Sequence, residues 1–419
     1  MRKVLRGIGN FFKRMSIKQR VAFGSGIVVL AIVLAVGGFI LHMRNQVHWD
    51  LKSNPLSEPG VNLEKVEVPP PLYSEQKGIT NILLIGTDAR TLNERSRSDS
   101  IIIATIDDNT KKVRFTSIMR DSYVDIPNHG TQKINAAYAF GGPELLTKTI
   151  ELNFKIKLDK FIIINFWGFE DVINAVGGID VDIKQKDISE INKYIGETDA
   201  VKSPPLTMSG YQHLDGQQAL AYSRIRHTDT EYARTGRQRQ VLQLLIEKMQ
   251  AMSATEYPKL MDPMLKCVKT NLEPTELLNL AYTVYQMRPI QIEDLQIPVD
   301  QISWGGMYNG AWYLLMDRDQ NAQVMNDFIF SDKELDVKNL NIKAFQSVLS
   351  DYKKAEKTKT PAVTPEGTKD PATADANQGS TGQNPSTGEA NTTPQNPSTG
   401  EANTTPKNPS TGEANTNTK

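Results

Sequence analysis

Residues 21–41 read VAFGSGIVVLAIVLAVGGFIL, twenty-one positions without a charge. About 20 apolar residues span the hydrocarbon core of a bilayer, so a chain carrying this run is expected to be divided by a membrane. Ahead of it, residues 1–20 hold seven Lys or Arg and no acid. A positive flank stays on the cytoplasmic side, which predicts a signal anchor with a cytoplasmic tail at 1–20, a span at 21–41 and everything later outside the cell. A cleaved signal peptide is the competing reading, but the run is long and no small-x-small site follows it.

The segment 42–78, with NPLSEPG and VPPPLY, reads as an extracellular linker. At the far end, residues 354–419 are nearly devoid of apolar side chains, and NPSTGEANT recurs from Asn384, Asn396 and Asn408. Such a tract cannot bury enough surface to fold and is expected to be a disordered tail, either solubilising or wall-contacting. Between these segments lies one domain, 79–330, followed by a helical extension at 331–353.

Within the domain, NILLIG (81–86), SIIIATI (100–106), KVRFTSIM (112–119), KFIIINF (160–166) and IDVDI (179–183) read as strands, with DDNTK making a hairpin of the second and third. GPELLTKTIELNF (142–154), GFEDVINAVGG (168–178) and RQRQVLQLLIEKMQ (237–250) have helical periodicity. This alternation predicts an α/β or α+β layered domain with a mixed central sheet flanked by helices.

Asp88 follows the first strand, Asp99 precedes the second and Arg120 follows the third. If the first strand runs antiparallel to the second, all three meet at one rim. Two carboxylates there suit a hard divalent cation such as Mg²⁺, or Mn²⁺. Plain salt bridges with Arg90, Arg95 and Arg97 would explain the same grouping.

The stretch YSRIRHTDTEYARTGRQRQ (222–240) gathers Arg224, Arg226, Arg234, Arg237 and Arg239 without one lysine, in a chain that balances 48 basic against 48 acidic residues. An extended SRIR would aim Arg224 and Arg226 the same way. A helix beginning near Tyr232 would put Arg234, Arg237 and Gln238 on one face. Guanidinium forks match phosphate oxygens and keep their charge. A solvated charged face is the plainer alternative, but it leaves the preference for arginine unexplained.

Absences narrow the phosphate class. There is no GxxxxGK[ST], no HExxH and no GxSxG. Zero net charge gives no overall field for nucleic acid. Five histidines and one cysteine, Cys267, argue against structural zinc. Outside a membrane ATP is scarce, whereas lipid pyrophosphates are at hand. They would need an apolar channel, which runs in 158–183 and 241–249 could line, unless these are ordinary core.

NILLIGTDAR, RSDSIIIATID, SIMRDSYVDIP, KINAAYAFGG, NFWGFEDVINAVGGIDVDI, LDGQQALAYSRIRH and RQRQV occur in this order. Together they resemble the LytR-CpsA-Psr (LCP) family of cell-wall ligases, strongly over 79–250 and weakly on to 330. The resemblance implies a membrane-bound phosphotransferase. It would move a glycopolymer, such as a teichoic acid or capsular polysaccharide, from an undecaprenyl-pyrophosphate carrier to a peptidoglycan hydroxyl. It further implies Mg²⁺ between the pyrophosphate and Asp88 and Asp99, a clamp of Arg97, Arg120, Arg224, Arg226, Arg234 and Gln238, and an internal hydrophobic tunnel for the prenyl chain. Asp88, Asp99, Arg120 and Arg226 would be the catalytic set. Met119, Ser100 and Glu231 stand where the family usually has Pro, Thr and Asp. A lipid-pyrophosphate hydrolase and a non-enzymatic wall-binding or attenuator protein are the alternatives, and the predicted topology argues against DNA contact.

Overall fold

The computed structural model describes residues 66–198, 201–225, 231–253, 256 and 268–358, together with Gly38 and Leu41. The basic segment 1–20, the rest of the span expected at 21–41, Arg226, Cys267 and the repeats from Asn384 lie outside these residues. Among the described residues no helix is long and apolar enough to cross a membrane.

The central sheet has six strands. In chain order they are β1 (Ile79–Thr87), β2 (Ser98–Asp107), β3 (Lys112–Ile118), β6 (Phe161–Asn165), β9 (Val268–Thr270) and β10 (Gln291–Ile297), while β4 (Tyr123–Ile126) and β5 (Gly130–Lys133) form a separate hairpin. Across the sheet the order is β10-β3-β2-β1-β6-β9. The pairs β1–β2, β2–β3 and β6–β9 are antiparallel, while β1–β6 and β3–β10 are parallel. The sheet is therefore mixed, as the alternation of apolar runs predicts.

Successive strand side chains point to opposite faces, and both faces are covered. On one face Leu83, Ile85, Ile101 and Ile103 pack with Leu145, Ile150 and Phe154 of α1 (Asn135–Phe154). A later helix, Arg318–Phe330, adds Met325 and Ile329 to this cluster. On the other face Ile82, Ile102 and Phe115 pack with Leu242 and Ile246 of α5 (Glu231–Ala251) and Leu277 of α6 (Pro274–Gln286). A third cluster joins α2 (Phe166–Ala175), α3 (Ile188–Tyr194) and α4 (Gly216–Arg224) to the antiparallel pair of β7 (Ile179–Ile183) and β8 (Gly210–Leu214).

The ends of the domain extend past the sequence-derived bounds. Leu72 donates to the Lys155 carbonyl at 2.8 Å, and the Tyr73 ring stacks on Phe330, so the last residues of the expected linker rest on the domain. The expected terminal helix is α8 (Ile342–Thr358), whose Phe345 enters the main core.

At the rim formed by the β2–β3 hairpin, Arg114 is fully buried. It donates to Asp107 at 2.9 Å and Glu293 at 3.1 Å, and also to Asp332. Burial opposes its charge, yet Asp107 and Asp332 outweigh that and raise its pKa. Burial alone would raise the pKa of Asp107, but hydrogen bonds from Thr110 and Arg114 bring it below the usual value. Asp332 is held low chiefly by its bond from Lys112. Carboxylates with depressed folded values stabilise fully above the unfolded value, about pH 4, and lose this as pH falls through the folded values. Arg114→Met is expected to lower the unfolding free energy by about 3 kcal/mol at neutral pH, since it strands buried charge. In urea titrations the gap to the wild type should close below about pH 4.

Candidate active site

The antiparallel register decides what meets at the other rim. Thr87 pairs with Ser98 and Ile102 with Ser117, so the end of β1, the start of β2 and the end of β3 share one edge. Asp88, Asp99 and Arg120 are brought together there, as the strand order requires. Arg120 donates from Nη1 to Asp99 Oδ1 at 2.5 Å. Burial works against the Arg120 charge, but Asp99, then Glu231 and Asp121, outweigh it and raise its pKa. Asp88 is exposed as a residue, yet its carboxyl is crowded. Lost hydration first, and the charge of Asp99 second, raise its pKa, with Arg224 opposing. Arg97 sits directly before Ser98, at the same edge, and is partly exposed.

Below this rim a cavity of about 380 Å³ opens between the sheet and α5. Its mouth is lined by Asp99, Asn165, Arg224, Arg234 and Gln238, and its body by Leu84, Ile102, Ile162, Ile164, Leu242, Leu245 and Leu277. One helix supplies both characters. Arg234, Gln238, Leu242, Leu245 and Met249 recur at i+4 and i+3 spacing and all face the cavity. The stripe is polar in the first turns of α5 and apolar beyond. The helix N-terminus, with its partial positive charge, lies at the same end as the arginines. Gly86 permits the close approach of β1 to Ser100 in the cavity wall, since a Cβ there would stand 2.9 Å from the Ser100 Cβ.

Each guanidinium at the mouth is held by a carboxylate. Arg224 donates to Glu197 at 2.7 Å and stacks over Phe166 at 4.5 Å and Tyr194 at 5.2 Å. Glu231 bridges two of them, at 2.6 Å from Arg234 and 3.9 Å from Arg120. Charge near the low-dielectric cavity is thus balanced while the arginines stay assembled.

Two expectations change. Arg224 is not on an extended SRIR segment but is the last residue of α4, which begins with an Asp215 capping box. Its alignment toward the cavity comes from stacking on Phe166 and Tyr194, not from strand alternation. Arg237 does not share the cavity face with Arg234 and Gln238. It is buried and donates to the Ile225 carbonyl at 2.6 Å, tying α5 to the end of α4. Arg239 likewise leaves the site and pairs with Asp294 at 2.8 Å. Sequence reasoning missed Glu197, Phe166 and Tyr194. An aromatic at a predicted strand end, or one in a later helix, carries no signal of an arginine that arrives from 30 or more positions away.

The chain belongs to the LytR_cpsA_psr family, whose sequence model matches residues 44–329. It is 33% identical over 242 residues to the polyisoprenyl-teichoic acid–peptidoglycan teichoic acid transferase TagT of Bacillus subtilis, covering 56% of this chain and 73% of that one. It is 31% identical over 327 residues to the corresponding transferase TagU of Oceanobacillus iheyensis, covering 74% and 94%. A solved structure of TagT bound to LIIa-WTA superposes with a TM-score of 0.52 at 29% identity, covering 64% of this chain and 97% of that one.

If the mouth reads oxyanions as forks, lysine cannot replace its arginines. Arg120→Lys and Arg224→Lys are each expected to weaken binding of inorganic pyrophosphate by roughly tenfold, the value of one charge-assisted hydrogen bond. Isothermal titration of the purified chain checks this, with a thermal melt to show an intact fold.

Proposed function

We propose that the chain transfers a glycopolymer, with its linking phosphate, from a polyprenyl-pyrophosphate carrier to a peptidoglycan hydroxyl. The observation that carries this reading is one cavity that joins an arginine and aspartate mouth to an apolar body. An amphiphile with a doubly charged head and a hydrocarbon tail matches both parts. The names of the related transferases supply the donor and acceptor classes.

In this reading the acceptor oxygen bonds to the phosphorus that bears the glycan. The bond from that phosphorus to the bridging oxygen breaks, and prenyl monophosphate leaves with its chain in the cavity. Arg120, Arg224 and Arg234 stabilise charge growing on the phosphoryl and bridging oxygens, and they are already oriented before substrate arrives. Arg97, from the β1–β2 edge, and Arg226 are assigned to the same clamp, with Gln238 beside them. The hydroxyl proton leaves at the open rim, where Asp88 is the exposed carboxylate.

Asp88 and Asp99 are the pair that would hold Mg²⁺ or Mn²⁺. Their chemistry fits: two hard oxygen donors close enough that the charge of Asp99 opposes ionisation of Asp88, a repulsion that a divalent cation would relieve. Among the described residues no cluster of three or more such ligands exists, so substrate oxygens and water would complete the shell. The cation would supply Lewis-acid charge neutralisation on the pyrophosphate.

The charge pattern of 1–41 supports a domain on the outer face of the cell membrane, held by a single span with its N-terminus inside. There it meets both carrier lipid and wall.

Transfer of a labelled glycopolymer from its prenyl-pyrophosphate carrier to peptidoglycan is the direct test. Asp99→Asn and Arg120→Ala are expected to lower the rate by ~10²–10³. Release of free glycopolymer at an equal rate with or without peptidoglycan would replace this reading with hydrolysis. Leu245→Trp, which fills the cavity body, should abolish capture of prenyl pyrophosphate and leave binding of inorganic pyrophosphate intact. Unchanged lipid capture in that variant would show that the tail lies elsewhere.

A further inference from the structure

A transfer of this kind needs a place for the second substrate, and the in-line requirement says where. The attacking and leaving oxygens lie on opposite sides of the phosphorus. The prenyl phosphate occupies the cavity side, so the acceptor must arrive from the rim beyond Arg120.

That rim continues into the hairpin of β11 (Ser303–Tyr308) and β12 (Ala311–Met316). Three contacts join it to the site. Tyr232, next to Glu231, has its hydroxyl 3.0 Å from the Ser303 Oγ. Leu314 donates to the Asp121 carbonyl at 3.0 Å. Lys133 pairs with Asp121 at 2.7 Å and lies over the Tyr313 ring. The hairpin is closed by a two-residue turn with Asn309 and Gly310 both at positive φ, a tight connection that fixes its register.

Residues 303, 305 and 307 share one face of β11, and Trp312 opposes Met307 on that face. Trp312 is 39% and Met307 63% exposed. The indole does not stand away from the sheet. It lies back over Gly305, where a Cβ would meet its Cζ2 at 2.9 Å. Gly305 thus leaves a bare backbone floor for a flat aromatic shelf, two residues or ~7 Å along the strand from Ser303. Met307 and Trp312 thus leave a small apolar patch exposed on one face of the hairpin.

Resting on the transferase reading, we propose that the Trp312–Met307 face is the acceptor subsite and that it takes a peptidoglycan glycan strand. The apolar C–H face of a pyranose ring stacks on an indole, whose ring face is electron-rich. The shelf carries no charge of its own, in keeping with a neutral sugar backbone. Ser303 and Tyr232 offer hydroxyls between the shelf and Arg120, where the reacting sugar would sit. A strand gripped at the shelf presents its next residues to the phosphorus, so the hairpin sets which hydroxyl is in reach.

The test uses the full chain in detergent, with labelled carrier-linked glycopolymer as donor and soluble uncrosslinked peptidoglycan strands as acceptor. Trp312→Ala is expected to raise the acceptor KM about tenfold while the donor KM stays within twofold. Gly305→Ala keeps the indole but pushes it off its floor, and should move the acceptor KM the same way. Thermal melts of both variants report the fold. An acceptor KM unchanged in both would overturn the proposal. If the wild type transfers nothing, the transferase reading fails separately, and direct titration with the same strands still decides the shelf. Binding lost in Trp312→Ala supports it, and binding retained refutes it. Vesicles of phosphatidylglycerol form the last arm. Vesicle binding lost in Trp312→Ala with strand binding intact would assign the face to the membrane and overturn the proposal.

Discussion

The antiparallel register of β1, β2 and β3 is the constraint on which the site depends. Asp99 and Arg120 are 21 positions apart, yet they form a 2.5 Å ion pair because a hairpin folds one strand end beside the other's start. Strand side chains alternate, so a slip of one residue would turn the cavity-lining Ile102 into the opposite core and bury the wrong charges. The tight turn after β2 fixes this register, with Thr110 and the buried Arg114 both bonded to Asp107. The pairing that stabilises the sheet therefore also aims the carboxylates and the guanidinium, with no separate device needed for each.

Above that rim the structure solves an electrostatic problem. Several arginines gathered at an apolar opening repel one another and lose hydration. Glu197, Asp99 and Glu231 balance them, and Phe166 and Tyr194 hold Arg224 through its ring faces. Ion pairing thus holds the guanidinium groups together at the opening and offsets their mutual repulsion. Arg237 and Arg239 show the other use of the same residue type, as ties that fix α4 and α5 to their surroundings.

Much of this was legible in the sequence. Strands β1, β2, β3, β6 and β7 announce themselves as β-branched runs, and the stripe from Arg234 through Gln238 to Leu245 follows from helical spacing alone. The rim of Asp88, Asp99 and Arg120 followed once a hairpin was assumed. What the sequence hid depended on tertiary arrival. SRIR has strand-like alternation, but the Asp215 cap starts a helix that runs through Arg224 and overrides it. Arg237 has the right spacing for the cavity, yet the carbonyl freed at Ile225 captures it. The β11–β12 shelf was invisible because Gly305 and Trp312 are ordinary residues until strand pairing places one over the other.

The partner of β3 has a bearing on how the molecule comes to be made. β3 lies beside β10, and the Arg114–Glu293 contact between them spans 179 positions. The three strands that carry the rim are synthesised early, but their outer edge stays open until nearly the whole domain exists. Sheets closed by such distant segments fold slowly, and an open apolar strand edge is a template for pairing with other chains. The same topology that places the reactive groups with so few residues leaves the nascent chain with a long period in which its most apolar edge has nothing to pair with. Residues 291–297 are thus the segment whose arrival covers that edge.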